Sequence, residues 1–261
     1  MGSNVVFRIG YWNIHKVEEV IILPFLLDLL NEYDLDLLFL SEHQGLTPAF
    51  EQNLPSSYKM IKQGPNCEKV IAVQKDGLDF NVVNDEKRYM LLSSKKYGYS
   101  IVGLHLQDNV HNSDYASRDR EYELKRILEA LNQTRNENEI LVGDFNCMPD
   151  APEIANKDGL NAVLFKDELN MPYTAHEKKR FYNPMLLTLN EGNKMYGSLR
   201  YVAGKRTIYW YAYDQVVVSA TLANRICNIK YPRVIGGKSL MSSKNINPLV
   251  SDHLPLVFAI K

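Results

Sequence analysis

An aspartate and an asparagine two residues apart, Asp144 and Asn146, follow a short apolar run at residues 140–142. The run predicts the end of a buried strand, and Gly143 lets the backbone turn tightly after it. If strand geometry continues to position 146, both side chains lie on one face. A carboxylate and a carboxamide placed together there suit a hard cation and its water, because Mg²⁺ prefers oxygen ligands and keeps several waters. An ordinary surface turn after a core strand is the alternative.

Other polar residues stand at or near the ends of further predicted strands. Glu42 closes the apolar run Leu35 to Ser41, where a carboxylate without a cation or donors would be costly to bury. His105 stands near the end of a strand predicted over Tyr99 to Leu106. The polar residues in such positions are Asn13, Glu42, His105, Asp144, Asn146, Asp214, Asp252 and His253. Their shared placement favours one common site.

The elements that position these residues are predicted to be many short strands and few helices. The clearest predicted helix runs from Arg120 to Gln133, with apolar residues on one stripe and charges opposite. A second, Val17 to Tyr33, contains Pro24 and is expected to kink or begin again there. Further strands are predicted at Lys69 to Gln74, Phe80 to Val83, Tyr89 to Ser94, Tyr209 to Ser219 and the run ending at Ile260. This pattern predicts an α+β fold in which two antiparallel-rich sheets pack together with helices outside.

The totals are those of an ordinary globular protein. The 261 residues are 45% hydrophobic and 23% charged and contain no linker or repeat, so we expect a single domain over residues 1–261. Three widely spaced cysteines predict neither a disulfide framework nor a zinc site. The N-terminal residues lack the features of a secretory leader, and the most apolar stretch, Val20 to Leu30, is too short to span a bilayer. We therefore expect a cytoplasmic protein without membrane insertion, and no obligate protein partner can be inferred.

The net charge of −1 hides an uneven distribution. From Lys178 to Ser251, twelve Lys or Arg residues stand against two acidic residues, which gives +10 and leaves −11 for the remainder. Aromatic residues are interleaved with these charges. The combination is typical of surfaces that follow a phosphate backbone and stack on unpaired bases. A solvated basic face without a partner is the alternative.

Six short segments together resemble the endonuclease/exonuclease/phosphatase superfamily, which contains DNase I, exonuclease III, deadenylases, sphingomyelinases and inositol-polyphosphate 5-phosphatases. They occur in the family's order and span almost the whole chain. The segments are Trp12–Asn13, Ser41–Glu42, Leu104–Leu106, Gly143–Asn146, Tyr213–Ser219 and Ser251–Leu256. The resemblance implies a DNase I-like fold, a four-layer α/β/β/α sandwich of two mainly antiparallel sheets.

The resemblance also implies a metal site. Glu42 is expected to be the main carboxylate ligand of Mg²⁺ or Mn²⁺, with Asn13 close by. Asp252 is expected to support the metal or His253. Glu68 loosely matches the position that supports His105 in DNase I-like members.

Catalytic roles follow from the same resemblance. Asp144 and Asn146 are expected to align the attacking water, and His105 to bind a phosphate oxygen. His253 is expected to face the scissile phosphate with Asp214 behind it. If Asp214 holds His253 as an imidazolium, Asp144 is the better candidate base. If His253 is neutral, it can take the proton itself, and the sequence leaves both possibilities open.

Substrate contacts are expected outside this centre. Tyr115, Arg118 and Arg120 lie between the His105 strand and the next helix, where related nucleases often contact phosphate, although a solvated helix start explains them equally well. The basic residues expected to contact substrate in the C-terminal half are Lys178, Lys179 and Arg180.

The family resemblance does not settle the substrate. The Pro-x-Trp-Cys-Asp-Arg signature of the inositol 5-phosphatases is replaced here by Tyr209 to Gln215, whereas the Gly-Asp-Phe-Asn-x-x-Pro form of deadenylases and general nucleases is present through Pro149. We therefore expect a divalent-metal-dependent nuclease that cuts DNA or RNA by water attack. The alternatives are a phosphodiesterase or phosphatase acting on a small nucleotide or phospholipid headgroup, and a nucleic-acid or protein-binding module with little catalysis.

Overall fold

The computed structural model describes residues 6–108, 115–171, 179–190, 195–201 and 209–261. Its helices are α1 (Glu19–Glu32), α2 (Ala116–Thr134), α3 (Pro152–Ala155) and α4 (Met185–Thr188). Its strands, β1 to β19 in chain order, are Phe7–Asn13, Leu37–Ser41, Tyr58–Met60, Val70–Lys75, Asn81–Glu86, Tyr89–Ser94, Tyr99–His105, Asn138–Asp144, Ala162–Val163, Phe181–Tyr182, Leu199–Tyr201, Tyr209–Tyr211, Asp214–Ser219, Ile226–Lys230, Val234–Ile235, Lys238–Ser239, Met241–Ser242, Asn245–Ile246 and Leu256–Ile260.

Most of these strands form two large sheets. The first has the order β14-β19-β1-β2-β4-β3, and the second has the order β5-β6-β7-β8-β13-β10-β9. Neighbouring strands are mainly antiparallel, and the parallel pairs are β1–β2, β7–β8 and β9–β10. The remaining strands form three short hairpins, β11–β12, β15–β16 and β17–β18.

The two sheets pack face to face, with β1 against β8 and β4 against β7. The approach is close, because a Cβ on Gly103 of β7 would lie 2.1 Å from the ring of Phe39 in β2. The apolar stripe of α2 covers the other face of the second sheet, and α1 buries Ile22, Leu26 and Leu29 in the cluster that contains the first sheet. The predicted α+β fold, a four-layer sandwich of two mainly antiparallel sheets, is confirmed.

Two predicted elements differ in detail. α1 continues through Pro24 as one helix and does not begin again there; the proline removes the hydrogen bond to the Val20 carbonyl. The predicted Tyr209 to Ser219 strand is divided into β12 and β13. The final strand, predicted to follow the polar pair Asp252 and His253, begins at Leu256 after a loop. Within the described residues, no helix is long and apolar enough to cross a membrane.

Candidate functional site

Strand ends from both sheets meet at one end of the sandwich. β1 and β2 run parallel, with Asn13 opposite Ser41, and β7 and β8 run parallel, with His105 opposite Asp144. β13 runs antiparallel to β8, and its first residue, Asp214, also stands opposite Asp144. Because β1 packs on β8, these ends lie together. We call this end of the sandwich, with Glu42, Asp252 and His253, the polar edge.

Four side chains form the centre of the polar edge. The Asn13 amide donates to Asp144 Oδ2 at 3.2 Å and to Glu42 Oε1 at 3.5 Å. His105 Nε2 lies 3.3 Å from Glu42 Oε1 and 3.8 Å from Asp144 Oδ2. Asn13, His105 and Asp144 are buried, whereas the Glu42 side chain is 20% exposed. Two carboxylates from opposite sheets are therefore within reach of one small ligand.

Glu42 is held in an unusual backbone conformation and in its charged form. It follows β2 with φ 49°, a left-handed conformation that costs a residue other than glycine about 1–2 kcal/mol. The hydrogen bond with His105 and the positive charges of His105, Lys16 and His15 lower the pKa of Glu42 to about 2, against the opposing effect of burial. Glu42 is therefore an anion throughout the physiological range.

The second part of the polar edge is a buried pair, Asp214 and His253. His253 Nδ1 lies 2.7 Å from Asp214 Oδ2. Its Nε2 faces Asp144 Oδ2 at 3.9 Å and Asp252 Oδ1 at 4.0 Å. The loop that carries this histidine is anchored to β1, because Trp12 Nε1 donates to the His253 carbonyl at 2.9 Å.

The surroundings of His253 favour the imidazolium. Burial disfavours its charge, but the charge of Asp214 and the hydrogen bond with it outweigh that effect, and Asp144 and Asp252 add to them, so the pKa of His253 is raised to about 10. Burial also raises the pKa of Asp214, against the lowering effect of His253. Since three carboxylates surround one imidazole, the ion pair is the favoured state. At neutral pH, Nε2 therefore carries a hydrogen that is available to a ligand.

Asp144 and Asn146 are brought together by a turn. β8 ends at Asp144, and Asn146 has φ 52°, so the strand geometry that would place both side chains on one face does not continue. Instead, the Asn146 backbone N–H donates to Asp144 Oδ1 at 2.9 Å, and the Asn146 amide donates to the Leu106 carbonyl at 2.9 Å. Both oxygens of Asp144 are thereby fixed, one by Asn146 and the other by Asn13.

Gly143 is required by close approach rather than by a turn. It lies inside β8 with φ 157°, and a Cβ there would be 2.0 Å from the carbonyl oxygen of Leu104 in β7. Any side chain would therefore force apart the two strands that carry His105 and Asp144.

His15 and Lys16 complete the polar edge, and sequence reasoning did not select either of them. His15 Nδ1 lies 3.3 Å from Asp252 Oδ1 and 3.8 Å from Glu42 Oε2. Lys16 Nζ lies 3.8 Å from Glu42 Oε2. The signal in the sequence is position, since both follow Asn13 closely, but a histidine and a lysine after a strand are usually surface residues.

The residues of the polar edge fit a divalent cation. Glu42, Asp144 and Asp252 offer carboxylate oxygens beside Asn13, which are ligand types that Mg²⁺ and Mn²⁺ accept. Among the described residues, Asp252 Oδ1 is a buried oxygen without a hydrogen-bond partner, which is costly unless a cation or another donor satisfies it. Asp144, Asp214 and His253 also converge, with one atom of each within 4.8 Å of the others, but Asp214 and His253 are already bonded to each other.

The predicted substrate residues near α2 separate into two environments. Tyr115 and Arg118 are exposed at the beginning of the helix. Arg120 is buried, where its Nε donates to Glu153 Oε1 at 2.6 Å and its Nη1 to the Gln107 carbonyl at 3.0 Å. The structure therefore places Arg120 in the contact between α2 and α3 and not on the surface.

The basic residues at 178–180 are not brought to the polar edge where they are described. Lys178 lies outside the described residues. Lys179 Nζ pairs with Glu139 at 2.5 Å, and Glu139 stands near the other end of β8 from Asp144, about 17 Å away along the strand. Arg180 donates to two backbone carbonyls of the preceding segment.

Glu68 does not support His105. Its side chain is 66% exposed and pairs with a lysine. Glu123 is a partly buried carboxylate that interacts electrostatically with His105, and it is held by Arg88 Nε at 3.1 Å and by the Gln107 N–H at 3.1 Å. The loose sequence match at Glu68 is therefore wrong, because position 68 lies on an exposed segment before β4.

A group of two arginines and two aromatic rings adjoins the loop that carries His253, through the bridge between β11 and that residue. The guanidinium carbons of Arg200 and Arg233 lie 5.7 and 5.2 Å from the centre of the Trp210 ring, and Arg233 lies 4.8 Å from that of Tyr196. In the described part of the chain, no carboxylate pairs with either arginine. Burial and the charge of Arg200 lower the pKa of Arg233. We call these four residues the Arg–aromatic cluster.

Solved structures share this architecture over almost the whole chain. A 3'-5' exonuclease from Neisseria meningitidis matches with a TM-score of 0.60 and 14% identity, covering 98% of this chain and 100% of its own. TDP2 from D. rerio, complexed with single-strand DNA product, matches with a TM-score of 0.62 and 16% identity, covering 99% and 100%. An AP endonuclease from Archaeoglobus fulgidus gives 0.57 and 15%, covering 98% and 99%.

At these identities the likeness shows the fold. No family model matches the sequence, and no curated protein matches it. The chain has the DNase I-like fold that the resemblance of the six segments implied.

Proposed function

We propose that this protein hydrolyses phosphodiester bonds of a nucleic acid with the help of Mg²⁺ or Mn²⁺. The observation that carries the proposal is the polar edge, where the carboxylates of Glu42 and Asp144 meet beside the Asp214–His253 pair. In this arrangement a candidate cation site and the charge of His253 lie on either side of Asp144. Both would favour hydrolysis of an anionic diester by water, because they stabilise the negative charge on the phosphoryl oxygens in the transition state.

Glu42 is the proposed main ligand of the cation, with Asn13 and Asp252 beside it. When bound, the cation neutralises charge on the phosphate and orients it for attack. Glu42 suits this role because its carboxylate stays ionised and its position is set by His105 and Asn13.

Asp144 is the proposed general base. The attacking water must lose a proton as its oxygen bonds to phosphorus, and Asp144 is held for this by Asn13 and the Asn146 N–H. The charge of Asp214 favours the protonated form of His253, which makes Asp144 the better base for that proton.

His253 is proposed to donate from Nε2 to a phosphoryl oxygen, which stabilises the charge that forms there. Asp214 acts through His253, because it fixes the ring and keeps it charged. His105, with one nitrogen directed at Glu42 and Asp144, is proposed to bind a second phosphate oxygen.

The Arg–aromatic cluster supports a nucleic acid as the substrate. Arg200 and Arg233 are two cations held close together, beside the His253 loop. Phosphates that flank the scissile one would provide the counter-charges that these guanidinium groups lack among the described residues. The nuclease structures that share the fold support the same substrate class.

The test is cleavage of end-labelled single-stranded and double-stranded DNA and RNA with Mg²⁺, Mn²⁺ or EDTA. Metal-dependent cutting by the wild type should fall by about 10²-fold or more in Asp144→Ala and His253→Ala. Asp150→Ala, which removes an exposed aspartate, is the matched control and should cut normally. Turnover of a generic small diester without cutting of any polymer would assign a small substrate instead, and binding without turnover would assign a binding module.

A further inference from the structure

We infer that His15 is a ligand of the divalent cation, so that the polar edge offers one imidazole nitrogen together with carboxylate oxygens. This role rests on the proposed function, since it needs a cation bound at Glu42. It adds a residue that the six family-like segments do not contain, and it changes which metal the protein should select.

The contacts of His15 suit groups that bind one ion together and lack the geometry of a hydrogen bond. Its Nδ1 lies 3.3 Å from Asp252 Oδ1 and 3.8 Å from Glu42 Oε2. Yet Asp252 Oδ1 has no hydrogen-bond partner within the described residues, so the closer contact lacks hydrogen-bond geometry. Two ligands at right angles on an ion, with bonds of about 2.1 Å, lie about 3 Å apart, and further apart at larger angles. The two distances from His15 Nδ1, to Asp252 Oδ1 and to Glu42 Oε2, are each compatible with a shared ion.

The position of His15 is fixed by backbone hydrogen bonds to Asn13 and Glu42. The His15 N–H donates to Asn13 Oδ1 at 3.0 Å, and the next N–H, of Lys16, donates to the Glu42 carbonyl at 2.8 Å. Both residues have left-handed conformations, with φ 49° and 59°, which cost about 1 kcal/mol or more each in residues other than glycine. The turn is thus tied to two members of the proposed metal site. The His15 side chain is 50% exposed, so its nitrogen is accessible to an ion from solvent.

An imidazole ligand has a predictable effect on metal choice. Nitrogen ligands bind Mn²⁺ and the later divalent transition metals in preference to Mg²⁺, which favours oxygen and water. A site made of oxygens alone would select Mg²⁺ more readily. His15 should therefore shift the preference of the polar edge toward Mn²⁺.

The test uses Mn²⁺ itself as the probe, in the full chain without substrate. Pulsed electron paramagnetic resonance of bound Mn²⁺ detects directly coordinated ¹⁴N, and its free signal gives the affinity. We expect nitrogen modulation in the wild type, a shallower modulation in His15→Ala and an Mn²⁺ affinity lower by about tenfold. In His15→Asp, Mn²⁺ should still bind, and the ratio of Mn²⁺ to Mg²⁺ affinity should fall by on the order of tenfold.

Lys16→Ala is the matched control, because it changes the neighbouring cation in the same turn and should leave the nitrogen modulation unchanged. His105 is kept in every variant, so any nitrogen signal that it contributes is common to all. Bound Mn²⁺ with equal modulation and affinity in the wild type and His15→Ala would overturn the role of His15 and leave the proposed function standing. A wild type that binds no Mn²⁺ or Mg²⁺ would contradict the metal-dependent function itself.

Discussion

The Arg120–Glu153 pair and the polar edge both contain buried charged side chains, but they differ in whether those side chains have hydrogen-bond partners. Arg120 and Glu153 are bonded to each other at 2.6 Å, with Gln107 and Ser117 as additional partners. At the polar edge, in the part of the chain that the structure describes, Asp252 Oδ1, Asp214 Oδ1 and His105 Nδ1 are buried without hydrogen-bond partners. The first group is satisfied within the protein, whereas Asp252 Oδ1 in the second is open to a cation or another donor.

This difference separates a structural role from a functional one better than residue type does. From residue type alone, an arginine near a predicted phosphate site is expected to contact substrate. The guanidinium of Arg120 instead bonds to Glu153 and to the Gln107 carbonyl. The charge of Asp144 opposes that of Asp214, and among the described residues Asp252 Oδ1 has no hydrogen-bond partner, which costs stability unless a ligand compensates. Substitutions in the two groups should therefore have opposite effects on stability and activity.

The largest expected effect is on turnover at the polar edge. Asp144→Asn should lower kcat/KM by about 10²-fold or more, because the amide cannot accept the proton of the attacking water. The free energy of unfolding should stay the same or increase, because one of several crowded negative charges is removed. Turnover assays and urea denaturation of the same samples measure both, and a fall in activity that merely follows a loss of folded protein would contradict the role of Asp144.

Arg120→Met should have the reverse effect. It leaves Glu153 buried without its partner, so we expect the free energy of unfolding to fall by about 3–5 kcal/mol, while kcat per folded molecule is unchanged. Adding Glu153→Leu should recover much of the lost stability, because an apolar pair replaces the ion pair. Reduced kcat in well-folded Arg120→Met would show that Arg120 contacts substrate, as the sequence suggested.

Asp214→Asn should change the pH dependence. In the wild type the pKa of His253 is raised to about 10, so the imidazolium, and the stability it contributes, is complete below pH 6.5 and is lost as the pH rises through 10. Without the charge of Asp214, the effect of burial is opposed only by Asp144 and Asp252, so the pKa of His253 should fall. The alkaline limb of kcat/KM should move down by several pH units, and an unmoved limb would mean that another group titrates there.

The smallest effect is expected at the Arg–aromatic cluster. Arg233→Gln should weaken binding of an oligonucleotide and reduce the slope of log affinity against log salt by about 1, because one phosphate contact is lost. Turnover of a small diester should stay normal. Lys125→Gln, on the exposed face of α2, is the matched control and should leave the slope unchanged. Equal slopes for Arg233→Gln and the wild type would remove the cluster from the substrate surface.

Much of the fold and the centre of the site follow from local sequence. Alternation and apolar runs predicted β6 at its observed bounds, and they placed Asn13, Glu42 and Asp144 at strand ends. Parallel pairing of β1 with β2 and of β7 with β8 then brings those ends together. These features are local or follow from the sheet order.

Features set by turns and distant contacts could not be predicted in this way. Asn146 reaches Asp144 through a left-handed turn, and His15 meets Asp252 across 237 positions of sequence. Arg233 reaches Trp210 from a different hairpin, whereas Lys179, in an equally basic stretch, is directed to the other end of β8. Charge counts identify a basic segment but not the direction in which its side chains point.

The most direct test of the comparison is a thermal unfolding series with EDTA, Mg²⁺ or Mn²⁺, for the wild type and Glu42→Gln. If the polar edge is completed by a divalent cation, metal at about 100 times its Kd should stabilise the wild type by about 2.7 kcal/mol, which is about 5–10 °C in Tm for a chain of this size. Glu42→Gln should show little of this increase, and in EDTA it should be less stable than the wild type, because it loses the charge interactions that lower the pKa of Glu42. A wild-type Tm that is the same with EDTA, Mg²⁺ and Mn²⁺ would contradict the account.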